Sequence, residues 1–195
     1  MKNKNQLSWT ILAGGEAKRM GGSDKGLVSF NDKPLIEYVY NALKHQVHSI
    51  TISANRNIDD YQKYSPVIRD ERKGFQGPLA GIEVALKHSE TIWTGFAPCD
   101  SPNLPNDLVA RLTHELSPDV DIYVAIVGSK VQPVFSVWNK RTLAKLTQYL
   151  ENGDRKIMLF FDNCNTVYID FSDIPHAFAN LNSPEDVTKL GNKYE

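Results

Sequence analysis

The chain has 195 residues, the length of one domain and enough to bury a core without disulfides or structural metals. Its 22 Lys and Arg residues nearly balance its 23 Asp and Glu residues, and the net charge of -1 argues against a protein that coats nucleic acid or binds membranes through basic clusters. With 41% hydrophobic and 23% charged residues, the composition favours a globular fold over disorder.

Cysteine content and the amino-terminal segment predict the compartment. The two cysteines, Cys99 and Cys164, form no C-x-x-C pair and are too few for a disulfide scaffold, which favours a reducing environment. Residues 1–8 are polar and lack the apolar region of a secretory signal, and no apolar run approaches the ~18 residues of a membrane span. We therefore expect a cytoplasmic protein with neither nucleic acid nor membrane as a partner.

Short β-rich segments alternate with segments of helical spacing. In chain order they are a strand at 9–12, a turn at 31–34, a helix at 35–47, a strand at 49–54, a short helix near 59–64, a strand at 67–68, a helix at 79–87, a strand at 92–97, a helix at 107–116, strands at 121–127 and 134–138, helices at 143–150 and 156–161, a strand at 167–169 and a last helix that opens at Ser183. This order predicts one α/β domain over 1–195 with a Rossmann-like, mostly parallel sheet and helices on both faces.

Ligands of such sheets bind outside the carboxyl ends of the strands. Four polar segments of this chain follow predicted strands, namely 13–22, 55–56, Asp70 and 98–102. Because parallel strands end at one edge, these segments define the predicted site.

The first of these segments is rich in glycine and basic residues. Residues 12–25 read LAGGEAKRMGGSDK, in which glycines allow close approach of backbone amides to an anion while Arg19 and Lys25 supply positive charge. The segment matches neither the Walker A pattern nor the dinucleotide pattern G-x-G-x-x-G. From composition alone, a phosphate-binding loop and a flexible loop with solvated basic side chains remain equally open.

A family resemblance favours the phosphate-binding loop. The loop with its Asp24-Lys25 pair resembles the signature of nucleotidyltransferases that use a nucleoside triphosphate, and the whole chain resembles the molybdenum cofactor guanylyltransferases. Further matching segments are GL at 26–27, KPL at 33–35, ANR at 54–56, GPLAG at 77–81, PCDSP at 98–102, DFSD at 170–173 and NLNSPE at 180–185. The resemblance implies a nucleotide-diphospho-sugar transferase type of fold, with GTP bound by the amino-terminal half and molybdopterin by the carboxy-terminal half.

The resemblance also implies a reaction and its metal. The terminal phosphate of molybdopterin would attack the α-phosphorus of GTP and release pyrophosphate, with Mg²⁺ as the cofactor. A phosphomonoester has a second pKa near ~6 and needs no general base. Asp100 follows an apolar strand and corresponds to the metal-binding aspartate of the family, although an aspartate in such a turn can simply stabilise the turn.

Individual roles follow from the same resemblance. Lys25, Arg19 and Asp100 are expected to be catalytic, with Asp100 also holding the metal. The expected nucleotide-binding residues are Leu12, Ala13, Gly14, Gly15, Gly22, Lys25, Asn55, Asp70, Gly81 and Asp100. The expected molybdopterin-binding residues are Arg155, Asn180 and Asn182. Cys99 is interpreted as a packing residue, because a neighbouring carboxylate raises the pKa of a thiol.

The chain departs from the family pattern at two positions, where Ser53 replaces an asparagine and Lys156 replaces an arginine of some relatives. Other proteins of cofactor biosynthesis and acceptor molybdoenzymes are further expected partners. Three alternatives remain open: cytidylyl transfer or NDP-sugar synthesis by the same fold, a glycosyltransferase, and a non-catalytic nucleotide-binding regulator. The glycosyltransferase is disfavoured because Asp100-Ser101-Pro102 lacks an Asp-x-Asp pattern.

Overall fold

The computed structural model describes residues 7–15, 24–72, 76–179 and 181. The strands within these ranges are β1 (Leu7–Leu12), β2 (Ser29–Phe30), β3 (Lys33–Pro34), β4 (Ile50–Ser53), β5 (Val67–Ile68), β6 (Trp93–Pro98), β7 (Ile122–Val127), β8 (Lys130–Asn139) and β9 (Thr166–Asp170). The helices are α1 (Leu35–Leu43), α2 (Ile58–Gln62), α3 (Pro78–His88), α4 (Leu108–Leu112), α5 (Leu143–Glu151) and α6 (Ile157–Asp162).

Seven strands form one sheet in the order β5-β4-β1-β6-β8-β7-β9. The strands β5, β4, β1 and β6 are mutually parallel, β9 is parallel to β7, and β8 runs antiparallel to both of its neighbours. The predicted mostly parallel sheet is therefore confirmed. In the sheet centre Trp9 lies opposite Gly95, where an added Cβ would come within 2.0 Å of the indole ring, so this glycine gives Trp9 its space.

Two hydrophobic clusters cover the two faces of the sheet. One cluster packs α1 and α4 against one face, and the other packs α3, α5 and α6 against the opposite face. Burial of apolar area on both faces is what stabilises a parallel sheet. The prediction of helices on both faces is confirmed.

Two helices are shorter than predicted. Helix α1 ends at Leu43 instead of residue 47, because the Gln46 side chain turns back to donate to the carbonyl of Ala42. Helix α4 covers only Leu108–Leu112. The amide of Thr113 still donates to the carbonyl of Val109 at 3.0 Å, but the amide of His114 donates to the carbonyl of Arg111, three residues back, so the last turn tightens and the helix ends.

Strand β8 is longer than the predicted 134–138, because a register shift opposite Val124 and Ala125 accommodates Pro133. The predicted turn at 31–34 contains positive-φ residues Asn31 and Asp32, which connect β2 to β3. Ser183 and the last predicted helix lie outside the described residues. No helix within the described ranges is long and apolar enough to cross a membrane.

Candidate active site at the carboxyl ends of the parallel strands

Backbone hydrogen bonds extend past the ends of the parallel strands and hold the following loops together. The amide of Ala13 donates to Ser53 at 2.8 Å, that of Ala54 to Ile68 at 3.0 Å, and that of Cys99 to Leu12 at 3.1 Å. The segments that follow β1, β4, β5 and β6 are therefore neighbours at one edge, as predicted.

Lys25 and Asp100 meet at this edge. Lys25 lies on a 3₁₀ turn (Lys25–Leu27), and its Nζ is 3.2 Å from Oδ2 of Asp100, which lies two residues after the end of β6. The Asp100 side chain is only 8% exposed and that of Lys25 is 28% exposed. Oδ1 of Asp100 is buried and accepts no hydrogen bond from any described residue. A buried carboxylate oxygen in this condition needs a donor or a cation.

Asn55 and Asp70 form a second pair beside the glycine loop. The Asn55 amide donates to Oδ2 of Asp70 at 2.8 Å, and its Oδ1 accepts from the Asp70 backbone amide at 2.9 Å. Burial raises the pKa of Asp70, with the charge of Glu83 acting in the same direction and hydrogen bonds from Asn55 and Ser53 acting against it. An added Cβ on Gly14 would lie 3.7 Å from Nδ2 of Asn55, so this pair borders the loop.

The described part of the glycine loop, Leu12 to Gly15, leaves β1 directly. Ala13 is buried, while Gly15 is exposed and its carbonyl accepts from Nη2 of Arg56 at 2.9 Å. Gly81 is buried in the first turns of α3, where an added Cβ would lie 2.9 Å from Oγ of Ser53. The absence of a side chain at Gly81 thus lets α3 approach the ends of β1 and β4.

Arg155 follows α5 and is bound to the protein itself. Its Nε donates to Oε1 of Gln76 at 2.5 Å, and its Nη1 donates to the carbonyls of Leu150 and Asp154. These contacts hold Arg155 near the segment that precedes α3. Four other predicted site residues, Arg19, Gly22, Asn180 and Asn182, lie outside the described residues.

Cys99 is buried beside Asp100. Burial raises the pKa of its thiol well above the usual range, and the charges of Asp100 and Asp24 raise it further. This agrees with the predicted packing role, because a nucleophilic cysteine requires a lowered pKa.

Sequence reasoning missed several residues that arrange this edge. Arg56 and Asn57 follow β4 and contact Gly15 and Asp24, and Tyr61 on α2 also contacts Asp24. Arg56 could have been found from the sequence, because it belongs to the segment 54–56 that matches the family pattern. The partners of Asn57 and Tyr61 lie 33 and 37 residues away, and no local pattern connects them.

The fold and the described site define a nucleotidyltransferase, and comparisons with known proteins agree. The family model described as MobA-like NTP transferase domain matches residues 9–165. A crystal structure of molybdopterin-guanine dinucleotide biosynthesis protein A from Archaeoglobus fulgidus has the same fold, with a TM-score of 0.79, 23% identity, and coverage of 96% of this chain and 98% of that chain.

Curated relatives are much more similar in sequence. A molybdenum cofactor guanylyltransferase of Vibrio vulnificus is 53% identical over 94% of both chains, and one of Vibrio atlanticus is 54% identical over 95% of this chain and 96% of its own. The chain belongs to the molybdenum cofactor guanylyltransferases within the MobA-like NTP transferase family, as the sequence resemblance predicted.

Proposed function

We propose that this chain transfers GMP from GTP to the terminal phosphate of molybdenum-bound molybdopterin, with Mg²⁺ as cofactor. A phosphate oxygen of the acceptor forms a bond to the α-phosphorus of GTP, the bond between that phosphorus and the α–β bridging oxygen breaks, and pyrophosphate leaves. The names of the relatives, at about half identity over nearly the whole chain, support this choice of substrates.

The observation that carries the proposal is the Lys25–Asp100 pair at the carboxyl edge of the sheet. Phosphoryl-type transfer requires positioning and neutralisation of charge more than covalent participation by the protein. The ammonium group of Lys25 supplies positive charge for the triphosphate, and Arg19 acts as a second phosphate ligand. The acceptor phosphate is already largely a dianion at neutral pH, so the reaction needs no general base.

The residues present fit Mg²⁺. The buried Oδ1 of Asp100, which has no hydrogen-bond partner among the described residues, is a hard oxygen ligand. The same residues contain no cluster of three His, Cys, Asp or Glu that would complete a protein-only site. One carboxylate with phosphate and water oxygens is a usual Mg²⁺ environment. When bound, Mg²⁺ supplies neutralisation of charge on the α-phosphate and the leaving pyrophosphate.

Recognition of guanine is assigned to the Asn55–Asp70 pair, with backbone contacts from Leu12, Ala13, Gly14 and Gly15. A carboxylate accepts hydrogen bonds from the N1 and N2 hydrogens of guanine, and cytosine offers no matching pair of donors. The Oδ1 atom of Asp70 is buried and has no hydrogen-bond partner among the described residues, and the pKa of this half-buried carboxyl is raised, which supports a site in which it gains a donor when nucleotide binds. Gly22 and Gly81 complete the expected nucleotide-binding set.

Binding of molybdopterin is assigned to Arg155, Asn180 and Asn182 in the carboxy-terminal half. The reaction is assigned to the cytoplasm. The free thiols of Cys99 and Cys164 are compatible with a reducing compartment.

The test is pyrophosphate release by the purified chain with each of the four nucleoside triphosphates, with and without molybdopterin and Mg²⁺. We expect release from GTP only, dependent on molybdopterin and abolished by a chelator. Turnover of CTP with molybdopterin, or of any triphosphate with a sugar phosphate, would overturn the choice of substrates.

Two variants and one control test the site. Lys25→Ala and Asp100→Asn are expected to lower kcat by about 10²-fold or more, since each removes charge stabilisation at the transferring phosphate. In calorimetry, Mg²⁺ should strengthen GTP binding to the wild type and not to Asp100→Asn. Lys44→Ala is the matched control, because Lys44 follows α1 at the opposite edge of the sheet. Unchanged turnover in Lys25→Ala, or an equal loss in Lys44→Ala, would refute the assignment.

A further inference from the structure

Asp24, the residue before Lys25, has a carboxylate that is buried away from solvent. Asp24 is only 7% exposed. Its Oδ1 accepts from the hydroxyl of Tyr61 at 2.5 Å, and its Oδ2 accepts from Nδ2 of Asn57 at 3.3 Å. Its backbone carbonyl accepts from the amide of Leu27 at 3.0 Å, which closes the 3₁₀ turn that carries Lys25. Hydrogen bonds thus hold Asp24 in two places: its side chain is bound by Tyr61 and Asn57 at α2, and its backbone carbonyl closes the turn that carries Lys25.

Tyr61 is a rigid anchor for this carboxylate. It is fully buried among the core residues of the α1 face. Burial raises the pKa of its phenol well above the usual range, and the charge of Asp24 adds to this, so the hydroxyl keeps its proton and donates a hydrogen bond at neutral pH. Asn57 adopts a left-handed conformation with φ of 49° at the start of α2, a backbone state that asparagine tolerates.

Gly26 shows how tightly the turn is packed. An added Cβ at Gly26 would lie 2.5 Å from the Tyr61 hydroxyl and 3.2 Å from Cβ of Cys99. The turn after Asp24 is therefore enclosed between α2 on one side and the segment that carries Asp100 on the other. This packing determines where the Lys25 backbone begins relative to Asp100.

The hydrogen bonds also address an electrostatic problem. Asp24 is an anion next to the lysine that the proposed function assigns to the triphosphate. A mobile carboxylate at this position would compete with Asp100 for the ammonium group and would repel phosphate oxygens. With its oxygens bound to Tyr61 and Asn57, the carboxylate is kept in one place on the α2 side of the turn.

We propose that Tyr61 and Asp24 are positioning residues that hold Lys25 in place for the triphosphate, acting through the Lys25–Leu27 turn. The inference rests on the proposed function only for the role of Lys25 toward a nucleoside triphosphate. It does not depend on which base or which acceptor is used.

The test is a double-mutant cycle of Tyr61→Phe with Lys25→Ala. Dissociation constants for the triphosphate and the monophosphate of the same nucleoside are measured by calorimetry, using whichever triphosphate the wild type binds best. Tyr61→Phe should weaken triphosphate binding about tenfold, in line with loss of a hydrogen bond to a charged group, and monophosphate binding less than about twofold. In the Lys25→Ala background it should weaken triphosphate binding by less than about twofold, because the group it positions is gone.

Tyr64→Phe is the matched control. Tyr64 lies shortly after α2, and among the described residues its hydroxyl makes a hydrogen bond only to Glu37, at 3.4 Å. It should bind the triphosphate like the wild type. An equal loss from Tyr61→Phe with and without Lys25, no loss at all, or an equal loss in Tyr64→Phe would overturn the proposal.

A second variant covers the case in which Tyr61→Phe does not fold by circular dichroism. Asp24→Asn keeps one acceptor for Tyr61 and removes the charge, and its effect on triphosphate binding should also vanish in the Lys25→Ala background. Additive losses would contradict the proposal. If the proposed function were wrong, the wild type would bind a triphosphate but release no pyrophosphate from GTP and molybdopterin. The double-mutant cycle could still be measured in that case, because it depends only on triphosphate binding.

Discussion

Replacing Arg72 with methionine should strongly destabilise the protein, because Arg72 neutralises a buried carboxylate. Glu83 on α3 has a side chain only 3% exposed, and it accepts hydrogen bonds from Nε and Nη2 of Arg72 at 2.7 Å each. The Thr147 hydroxyl donates to it at 2.8 Å. Burial raises the pKa of Glu83, but the hydrogen bonds from Arg72 and Thr147, with the charge of Lys87, more than offset this and leave the pKa below its ordinary value.

The magnitude follows from what remains around the carboxylate. Breaking a buried ion pair from one side typically costs ~3–5 kcal/mol. Arg72 is 23% exposed, Thr147 still donates, and Lys87 lies 3.9 Å from Oε1 of Glu83, so a value near the low end, about 3 kcal/mol, is expected. The double variant Arg72→Met with Glu83→Gln removes the uncompensated charge, and we expect it to recover about half of that loss.

Urea unfolding followed by circular dichroism at pH 7 measures these differences. The control is Arg141→Met, which breaks an Arg–carboxylate pair with Asp121 that is 43% exposed on the arginine side, and in which Asp121 still accepts from the amide of Asn165. Its cost should stay near ~1 kcal/mol or less. An Arg72→Met variant within ~1 kcal/mol of wild type, or a double variant less stable than the single one, would refute the reasoning.

The same ion pair predicts a pH dependence. Because the pKa of folded Glu83 lies below its ordinary 4.5, the stabilisation is complete above pH 4.5 and is lost as the pH falls through the folded-state pKa. The stability difference between wild type and Arg72→Met should therefore be largest near neutral pH and shrink on acidification, because the wild type loses this stabilisation while the buried, unneutralised Glu83 of the variant takes up a proton. A difference that grew on acidification would contradict this sign.

Two further substitutions test the site's internal packing and charge. Asp70→Asn should raise the thermal midpoint at pH 7 and weaken GTP binding, because it removes a half-buried carboxylate whose pKa is raised by folding. The gain in stability should shrink as the pH falls toward 3.8, and a lower midpoint at pH 7 would contradict the prediction. Gly26→Ala should lower both the thermal midpoint and triphosphate affinity, since its Cβ would collide with Tyr61, whereas Gly15→Ala, with nothing within 4 Å among the described residues, should unfold at the wild-type temperature. Equal thermal midpoints for Gly26→Ala and Gly15→Ala would show that there is room for a side chain at position 26.

The sequence predicted the sheet, the face-covering helices and the meeting of loops at one edge, because these depend on periodicity and strand direction. It did not predict the reversed direction of β8, since the alternation of strands and helices stops at β7, which β8 follows directly with no helix between them. It also placed the ends of α1 and α4 too late. The end of α1 is set by the Gln46 side chain, which donates to the carbonyl of Ala42, and the end of α4 by the tightened turn in which the amide of His114 donates to Arg111.

The predicted site residues were found through motifs, whereas the residues that hold them were not. Asp100 and Lys25 each stand in a recognisable segment, but the ion pair of Arg72 with Glu83 joins positions in a loop and a helix. Such a pair depends on how α3 packs against the sheet, which no spacing in the chain encodes. At Gly81 the motif indicated one role and the structure adds another. The motif predicts a nucleotide contact, and the short distances from Gly81 to Ser53 and Leu12 show that the glycine also allows close helix–strand packing.

Three consecutive residues after β4 connect the separate parts of the site. Asn55 binds Asp70, Arg56 binds the carbonyl of Gly15, and Asn57 binds Asp24. One turn therefore contacts the segment assigned to guanine, the glycine loop and the turn that carries Lys25. Since a displacement of this turn would move all three at once, base recognition and triphosphate binding should be coupled, and substitutions at 55–57 should affect both.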